Sequence, residues 1–283
     1  MTFLNQFKAS TVLVLVLATF IAGIAYPNPQ KFKKVVWIVF ENTNYASALK
    51  QPDFLKLTQQ GALLTNVQAE THPSQGNYVA MIAGSTLGVK NDAPVDLNSS
   101  HLGDLLEKAG LDWKVYAEDY PGNCFTDKVS GNYVRKHVPF LSFTNVTKNS
   151  ARCRKIESTT NFVKDFKSGA TPEFSMYIPN LKSDGHDTGV DYAGKWMSSH
   201  FGAVFSNLQA HQDTLFIVTF DESGGSSVNQ IFTVLIGANV VAGSVNKQTL
   251  SHAALLKLVE DQFNLGNLGR NDSTAPAITG IWK

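Results

Sequence analysis

The sequence predicts an α/β fold, a three-layer sandwich built on a mostly parallel central sheet. Three observations carry that expectation. Six short apolar runs, rich in β-branched and aromatic residues, lie at 35–40, 63–67, 113–117, 174–178, 214–220 and 231–236, the composition of strands covered on both faces. Helix-spaced segments separate most of them, which favours crossover connections and a parallel sheet. Four of the strands hand over directly to polar groups, as they would at the ligand edge of an open sheet.

In chain order, strand 35–40 ends on Glu41-Asn42. Pro52 and Asp53 open a helix through 60 that Gly61 stops, and strand 63–67 leads into Glu70-Thr71-His72-Pro73-Ser74-Gln75-Gly76-Asn77. The apolar stretch 78–83 is helical, with Ser74 at or just before its N-cap. Ser99 and Ser100 cap a helix through 108, ahead of strand 113–117. Residues 118–155 show little apolar periodicity and read as a long excursion. A short helix at 162–166 precedes strand 174–178 and the polar loop 179–187. Trp196, Phe201, Val204, Phe205 and Leu208 fall at helical spacing within 191–209. Strand 214–220 ends on Asp221-Glu222 and paired glycines, strand 231–236 follows, and His252 opens a helix to 263.

With 43% hydrophobic and 17% charged residues, the 283-residue chain has material for a large core and is not a disordered polymer. Its net charge of +1 and lack of a basic run speak against a nucleic-acid partner. No internal repeat and no Pro/Gly/Ser linker divides it, so residues 26–283 read as a single domain. Residues 1–25 read as a signal peptide: Lys8 supplies the positive end, 11–24 is almost wholly apolar, and Gly23-Ile24-Ala25 suits cleavage. That run is short for a span of about 20 residues, so the mature protein is expected to be secreted without a stable membrane anchor. In an oxidising compartment Cys124 and Cys153, the only cysteines, most simply pair with each other; closing that loop is worth about 3.5 kcal/mol in the chain-entropy view. Asn98, Asn145 and Asn271 begin glycosylation triplets.

In a parallel sheet the strand ends share one edge, so Glu41, Asn42, Asp221 and Glu222 are expected to meet. Crowded carboxylates are tolerated only when protonated or joined by a cation. Their oxygen donors favour Mg²⁺, Ca²⁺ or Mn²⁺, with Zn or Fe as alternatives. Asp184, His186, Asp187 and His252 form a second candidate set of more zinc- or iron-like character. Ser74 is the candidate nucleophile and a further metal ligand: it precedes a helix whose free N–H groups and dipole favour a phosphate. The plain alternative is that it only caps that helix. Gly76 permits close backbone approach, the Asn77 amide offers a donor to a phosphoryl oxygen, and His72 is placed to contact phosphate or donate a proton. His101, His137, His200 and His211 lack acidic neighbours at ligand spacing and read as background.

Glu41-Asn42 after a buried strand, the run from Thr71 to Tyr78, Pro179-Asn180 with Asp184-Gly185-His186-Asp187, Asp221-Glu222 and Ser251-His252 together resemble the phosphoesterase family of secreted acid phosphatases and bacterial phospholipases C. That family is similar in its core to the alkaline phosphatase and nucleotide pyrophosphatase superfamily, and the resemblance runs through nearly the whole of 26–283. It implies that Glu41, Asn42, Asp221 and Glu222 bind a divalent metal and that Ser74 forms a phosphoserine while hydrolysing a small phosphate ester. Asn77 then falls where that superfamily places a phosphate-oxygen donor. The chain departs from alkaline phosphatases in having Glu222 where they carry His, and Asn180 near the place of an Asp. Those changes fit one metal, with His72, His186 and His252 around the phosphate. A phosphodiesterase of phospholipase C type and a non-catalytic binding protein are the alternatives.

Overall fold

In the computed structural model, which describes residues 32–283, strand β1 (Lys34–Phe40) lies inside a nine-stranded sheet. Helices α1 (Tyr45–Lys50) and α2 (Pro52–Gln60) follow it, then β2 (Ala62–Gln68), α3 (Ser74–Ala83), α4 (Leu102–Lys108) and β3 (Trp113–Ala117). The excursion contains a hairpin of β4 (Val129–Ser130) and β5 (Tyr133–Val134), 3-10 turns at Arg135–His137 and Pro139–Ser142, and the short helices α5 (Thr144–Thr147) and α6 (Ser150–Cys153). Next come β6 (Ile156–Ser158), α7 (Thr159–Ser168), β7 (Phe174–Ile178), α8 (Val190–Phe205), β8 (Thr214–Phe220) and β9 (Gln230–Ile236). Two-residue strands β10 (Val245–Asn246) and β11 (Leu250–Ser251), helix α9 (His252–Phe263) and the turn α10 (Asn271–Thr274) complete the chain.

The strand order is β10-β2-β9-β8-β1-β7-β3-β6, with β11 on β2, and β9 alone runs against the others. All six expected strands are present. The sheet adds β6, β10 and β11, pieces of three residues or fewer whose pattern is too short to read. β1 and β8 pair in parallel from Lys34↔Thr214 to Phe40↔Phe220, and the Asp221 N–H continues the ladder to the Phe40 carbonyl at 2.9 Å. This register delivers Glu41 and Asp221 side by side at the sheet edge.

Helices cover both faces because both faces are apolar. On one, Phe40 and Phe220 pack against Phe54 of α2, and Phe40 meets Trp196 of α8 edge-on. Burying an aromatic of this size stabilises by about 1.5–3 kcal/mol, and Phe54→Ala at the centre of that cluster would cost about 3–5 kcal/mol. On the other face α3 packs on α9, and the excursion folds beneath as Phe140 stacks on Trp113 with ring centroids 4.2 Å apart. Cys124 and Cys153 are joined in a disulfide.

Two local expectations are corrected. The N-cap of α4 is His101, not Ser99 or Ser100: its Nδ1 accepts from the Gly103 N–H, while Asp104 accepts from the His101 N–H. His101 is buried, and burial lowers its pKa to about 4, leaving Nδ1 free to accept. Of the glycosylation triplets, Asn98 and Asn271 are exposed, but the Asn145 amide nitrogen donates to both oxygens of Asp104, so a glycan there would break the buttress of α4. The signal-peptide reading lies outside the described residues. Among the described residues, no helix is long and apolar enough to cross a membrane.

Candidate active site

The site lies at the carboxyl ends of β1 and β8, beneath the first turn of α3. Glu41, Asp221 and Glu222 each bring a carboxylate oxygen within 4.8 Å of the others, and all three are buried. Ser74 opens α3 directly over this trio: its hydroxyl is 3.0 Å from Glu222 Oε1 and 3.3 Å from Glu41 Oε2. Gly76, two residues into α3, brings the helix against its own approach loop, since a Cβ there would meet the Thr71 methyl at 2.6 Å. The Asn42 N–H donates to Asp221 Oδ1 at 3.2 Å, and Asn42 Oδ1 is buried without a partner.

Charges are unevenly met. Burial penalises every carboxylate here, and for Asp221 the neighbouring Glu41 and Glu222 charges add to it, so its pKa is pushed well above the usual range. Glu222 rises as well, through burial first and then Glu41, against the pull of Ser74 and His72. Glu41 goes the other way. His137 Nε2 approaches its Oε1 at 2.6 Å, though without the alignment of a hydrogen bond, and His137 Nδ1 is 3.4 Å from Asp184 Oδ2. Against the cost of burial, this imidazolium holds Glu41 at about 2, and the two carboxylates raise His137 to about 9.

Glu41 Oε1 is met by the His137 imidazolium, but Asn42 Oδ1 and Asp221 Oδ2 are buried without a hydrogen-bond partner, a cost native structures seldom carry without an ion or water there. Three carboxylates and an amide oxygen are the donor set of a hard divalent cation, so the residues present fit such an ion. The second set is not assembled: among the described residues no other trio of His, Cys, Asp or Glu ligand atoms comes together within that span. His252 is buried and donates from Nε2 to the Asp221 backbone carbonyl at 2.7 Å, with burial lowering its pKa. Asp184 accepts the His186 N–H, and its own carbonyl accepts from the Glu41 N–H at 3.1 Å, which fixes the 180–187 loop to the site. His186 and Asp187 pair at 2.7 Å on the partly exposed rim.

His72 is half exposed and contacts Glu222 Oε2 at 2.5 Å, placing one histidine at the mouth of the site. Asn77 has a different job from the phosphate donor expected of it. Its Oδ1 accepts from the Glu70 and Thr71 N–H groups at 2.9 and 3.0 Å, and its Nδ2 donates to the Thr71 carbonyl at 2.8 Å. Its oxygen and one of its two Nδ2 hydrogens are thus taken by the loop that carries His72. Asn180 is similarly spent, accepting from the Lys182 and Ser183 N–H groups and donating to Asp119. Two residues of the excursion went unrecognised in the sequence. His137, read as background without acidic neighbours, in fact lies between Glu41 and Asp184, and Lys136 reaches to 3.5 Å from Ser74 Oγ while donating to Asp92 at 2.8 Å. Burial opposes the Lys136 charge, but Glu41, Asp92 and Asp221 more than offset it.

A mixed, mostly parallel sheet with a hydroxyl residue at a helix start over an acidic edge defines a class. Its fold is that of the alkaline phosphatase superfamily, as in a member of that superfamily from Vibrio parahaemolyticus, at TM-score 0.58 and 13% identity over 88% of this chain and 72% of that one. Within that class the chain belongs to the Phosphoesterase family, which it matches over residues 42–266. It is 33% identical over 260 residues to a probable acid phosphatase of Kluyveromyces lactis, covering 87% of this chain and 62% of the relative. It is 36% identical over 265 residues to a phosphatidylinositol-3-phosphatase of Mycobacterium tuberculosis, covering 92% and 86%. The chain therefore spans less than two thirds of the length of the fungal acid phosphatases it matches.

Proposed function

We propose that this protein is a secreted, divalent-cation-dependent phosphatase that hydrolyses phosphate monoesters through a phosphoserine at Ser74. The observation that carries the proposal is the Ser74 hydroxyl, held between Glu222 and Glu41 at 3.0 and 3.3 Å over a carboxylate trio in which Asp221 Oδ2 has no partner. The acid-phosphatase relatives support the reaction class. Glu41, Asn42, Asp221 and Glu222 would hold the ion, which when bound neutralises charge on the transferring phosphoryl group and favours the ionised serine.

The chain's own groups account for the rest. Ser74 Oγ attacks phosphorus in line as its proton passes to the carboxylate oxygen it faces. The partial positive charge at the start of α3 steadies the phosphoryl oxygens. A rim histidine, His72 or His186, gives a proton to the departing alcohol, and water then cleaves the phosphoserine with Ser74 reprotonated. His137, buried and charged beside Glu41 and Asp184, keeps the acidic floor from carrying an unrelieved negative charge. His252 orients the turn through the Asp221 carbonyl and takes no part in proton transfer to substrate.

The mycobacterial relative, matched along most of its length, favours a second reading in which the departing alcohol is a phosphoinositide headgroup. The disulfide and the apolar run at 11–24 support secretion, with residues 26–283 as one catalytic domain and exposed Asn98 and Asn271 as glycan sites.

The test is turnover by purified protein of p-nitrophenyl phosphate, bis-p-nitrophenyl phosphate and phosphatidylinositol 3-phosphate in micelles, each with and without EDTA. Monoester turnover that EDTA abolishes and Mn²⁺ or Mg²⁺ restores is the expected result. Hydrolysis of the diester alone would overturn the monoesterase reading, and EDTA-insensitive turnover would overturn the role of the cation.

A further inference from the structure

Lys136 belongs to no feature that the sequence marks out, yet its placement is built from every side. It sits in the 3-10 turn Arg135–His137, and both neighbours in that turn are pinned. Arg135 donates to the carbonyls of Thr126, Val95 and Leu141 and to Asp96, while His137 is locked between Glu41 and Asp184. The Lys136 ammonium itself is braced by Asp92 at 2.8 Å. Asp92 is in turn held by the helix that carries the nucleophile: the Gln75 N–H donates to its other oxygen, and the Gln75 side chain donates to the carbonyls of Asn91 and Ala93 on either side. The result is an ammonium 3.5 Å from Ser74 Oγ, fixed by the residue next to Ser74. Such bracing lowers the reorganisation needed when charge develops nearby.

We propose that Lys136 is a specificity-determining residue that binds a non-bridging oxygen of the phosphoryl group and so selects monoesters over diesters. The inference rests on the phosphatase reading above and adds which esters the site prefers. In an in-line attack by Ser74 the non-bridging oxygens surround the Oγ–phosphorus axis, within reach of a cation beside Oγ. A monoester presents three such oxygens and is largely dianionic above its second pKa of about 6. A diester presents two, carries one charge, and replaces the third oxygen with an uncharged alkoxy group that a lysine cannot pair. The floor of the site holds four carboxylates, Glu41, Asp184, Asp221 and Glu222, so a doubly charged substrate needs an additional fixed cation more than a singly charged one does. Asp92 is a positioning residue in this scheme: it touches Lys136, not substrate.

The experiment compares wild type with Lys136→Met, Lys136→Arg and Asp92→Asn at pH 7 and saturating Mn²⁺. It reads kcat/KM for p-nitrophenyl phosphate and bis-p-nitrophenyl phosphate, equilibrium binding of inorganic phosphate by calorimetry, and melting temperature. Lys136→Met should lower monoester kcat/KM by about 100-fold and diester kcat/KM by less than about tenfold, with phosphate binding weakened about tenfold. Lys136→Arg should recover part of the monoester rate, because it keeps the charge but not the shape. Asp92→Asn should fall between. Equal losses on both esters at an unchanged melting temperature, or an arginine variant no better than methionine, would overturn the inference. Should Lys136→Met prove unfolded, the ester ratio of Asp92→Asn decides in its place. If wild type turns over neither ester, the phosphatase reading fails, and phosphate binding then judges Lys136 separately: undiminished binding in Lys136→Met overturns its role.

Discussion

Glu41 Oε1 and His137 Nε2 stand 2.6 Å apart in the interior, with the two side chains 0% and 1% exposed. An ion pair this deep is conditional on both partners, because removing one leaves the other as a buried charge. His137, raised from 6.5 to about 9, contributes stability that is complete below pH 6.5 and lost as pH rises through 9. Glu41, lowered from 4.5 to about 2, contributes stability that is complete above pH 4.5 and lost as pH falls through 2. The pair is therefore fully formed between those inner limits. Urea unfolding of the metal-free protein at pH 5.5 should find His137→Ala less stable by about 3–5 kcal/mol. A loss below about 1 kcal/mol would show that Glu41 does not depend on this ring.

A second titration lies well away from the site. Glu260 of α9 is buried beside Asp272, with neither carboxylate oxygen paired to a donor, and burial and the Asp272 charge raise it from 4.5 to about 8, against the weaker pull of Lys257. A raised carboxylate stabilises the fold below its unfolded pKa and loses that contribution as pH climbs through the folded value. The melting temperature should thus decline between pH 4.5 and 8, and Glu260→Gln should flatten the profile, melting about 5 °C above wild type at pH 8. Parallel profiles for the two proteins would contradict the assignment.

The unpartnered oxygens of Asn42 and Asp221 lead to a binding prediction independent of turnover. At pH 7, Mn²⁺ at 100 times its dissociation constant should stabilise wild type by about 2.7 kcal/mol. Asp221→Asn removes one charge from the trio and should abolish most of that gain while raising the stability of the metal-free protein. Equal stabilisation of both proteins by Mn²⁺ would place the ion elsewhere.

Asn77 separates support from substrate contact. Its three bonds to the Glu70–Thr71 backbone mean that Asn77→Ala should destabilise by about 1–3 kcal/mol and depress kcat through the displaced His72 loop. Inorganic phosphate should bind it nearly as well as wild type. A tenfold weaker phosphate affinity at unchanged stability would instead assign the second Nδ2 hydrogen to phosphate.

What the sequence reveals follows from where information is local. The core strands and the carboxylates that end β1 and β8 are legible because an apolar run and its terminating residues are adjacent in the chain. The reversed direction of β9 is not, since strand periodicity is the same in either sense. Lys136 and His137 lie in the aperiodic excursion, and their place beside Ser74 and Glu41 comes from the stacking of Phe140 on Trp113 and of His137 on Tyr78. Only the short apolar string after them, Val138 to Leu141, hints that this part of the excursion is buried. His252 and Asn77 mislead for the opposite reason. Their types and neighbours suit a ligand or a phosphate donor, but the Asp221 carbonyl takes His252 Nε2, leaving Nδ1 buried without a partner, and the Glu70–Thr71 backbone takes Asn77 Oδ1 and one Nδ2 hydrogen.

The most direct test of the central claim is to quench the wild-type protein in acid during turnover of p-nitrophenyl phosphate and measure the mass of the peptide that contains Ser74. One phosphoryl group should be added to Ser74, lost when substrate is exhausted and absent from Ser74→Ala, which should also lack turnover while melting like wild type. Phosphate on another residue, or sustained hydrolysis by Ser74→Ala, would contradict it.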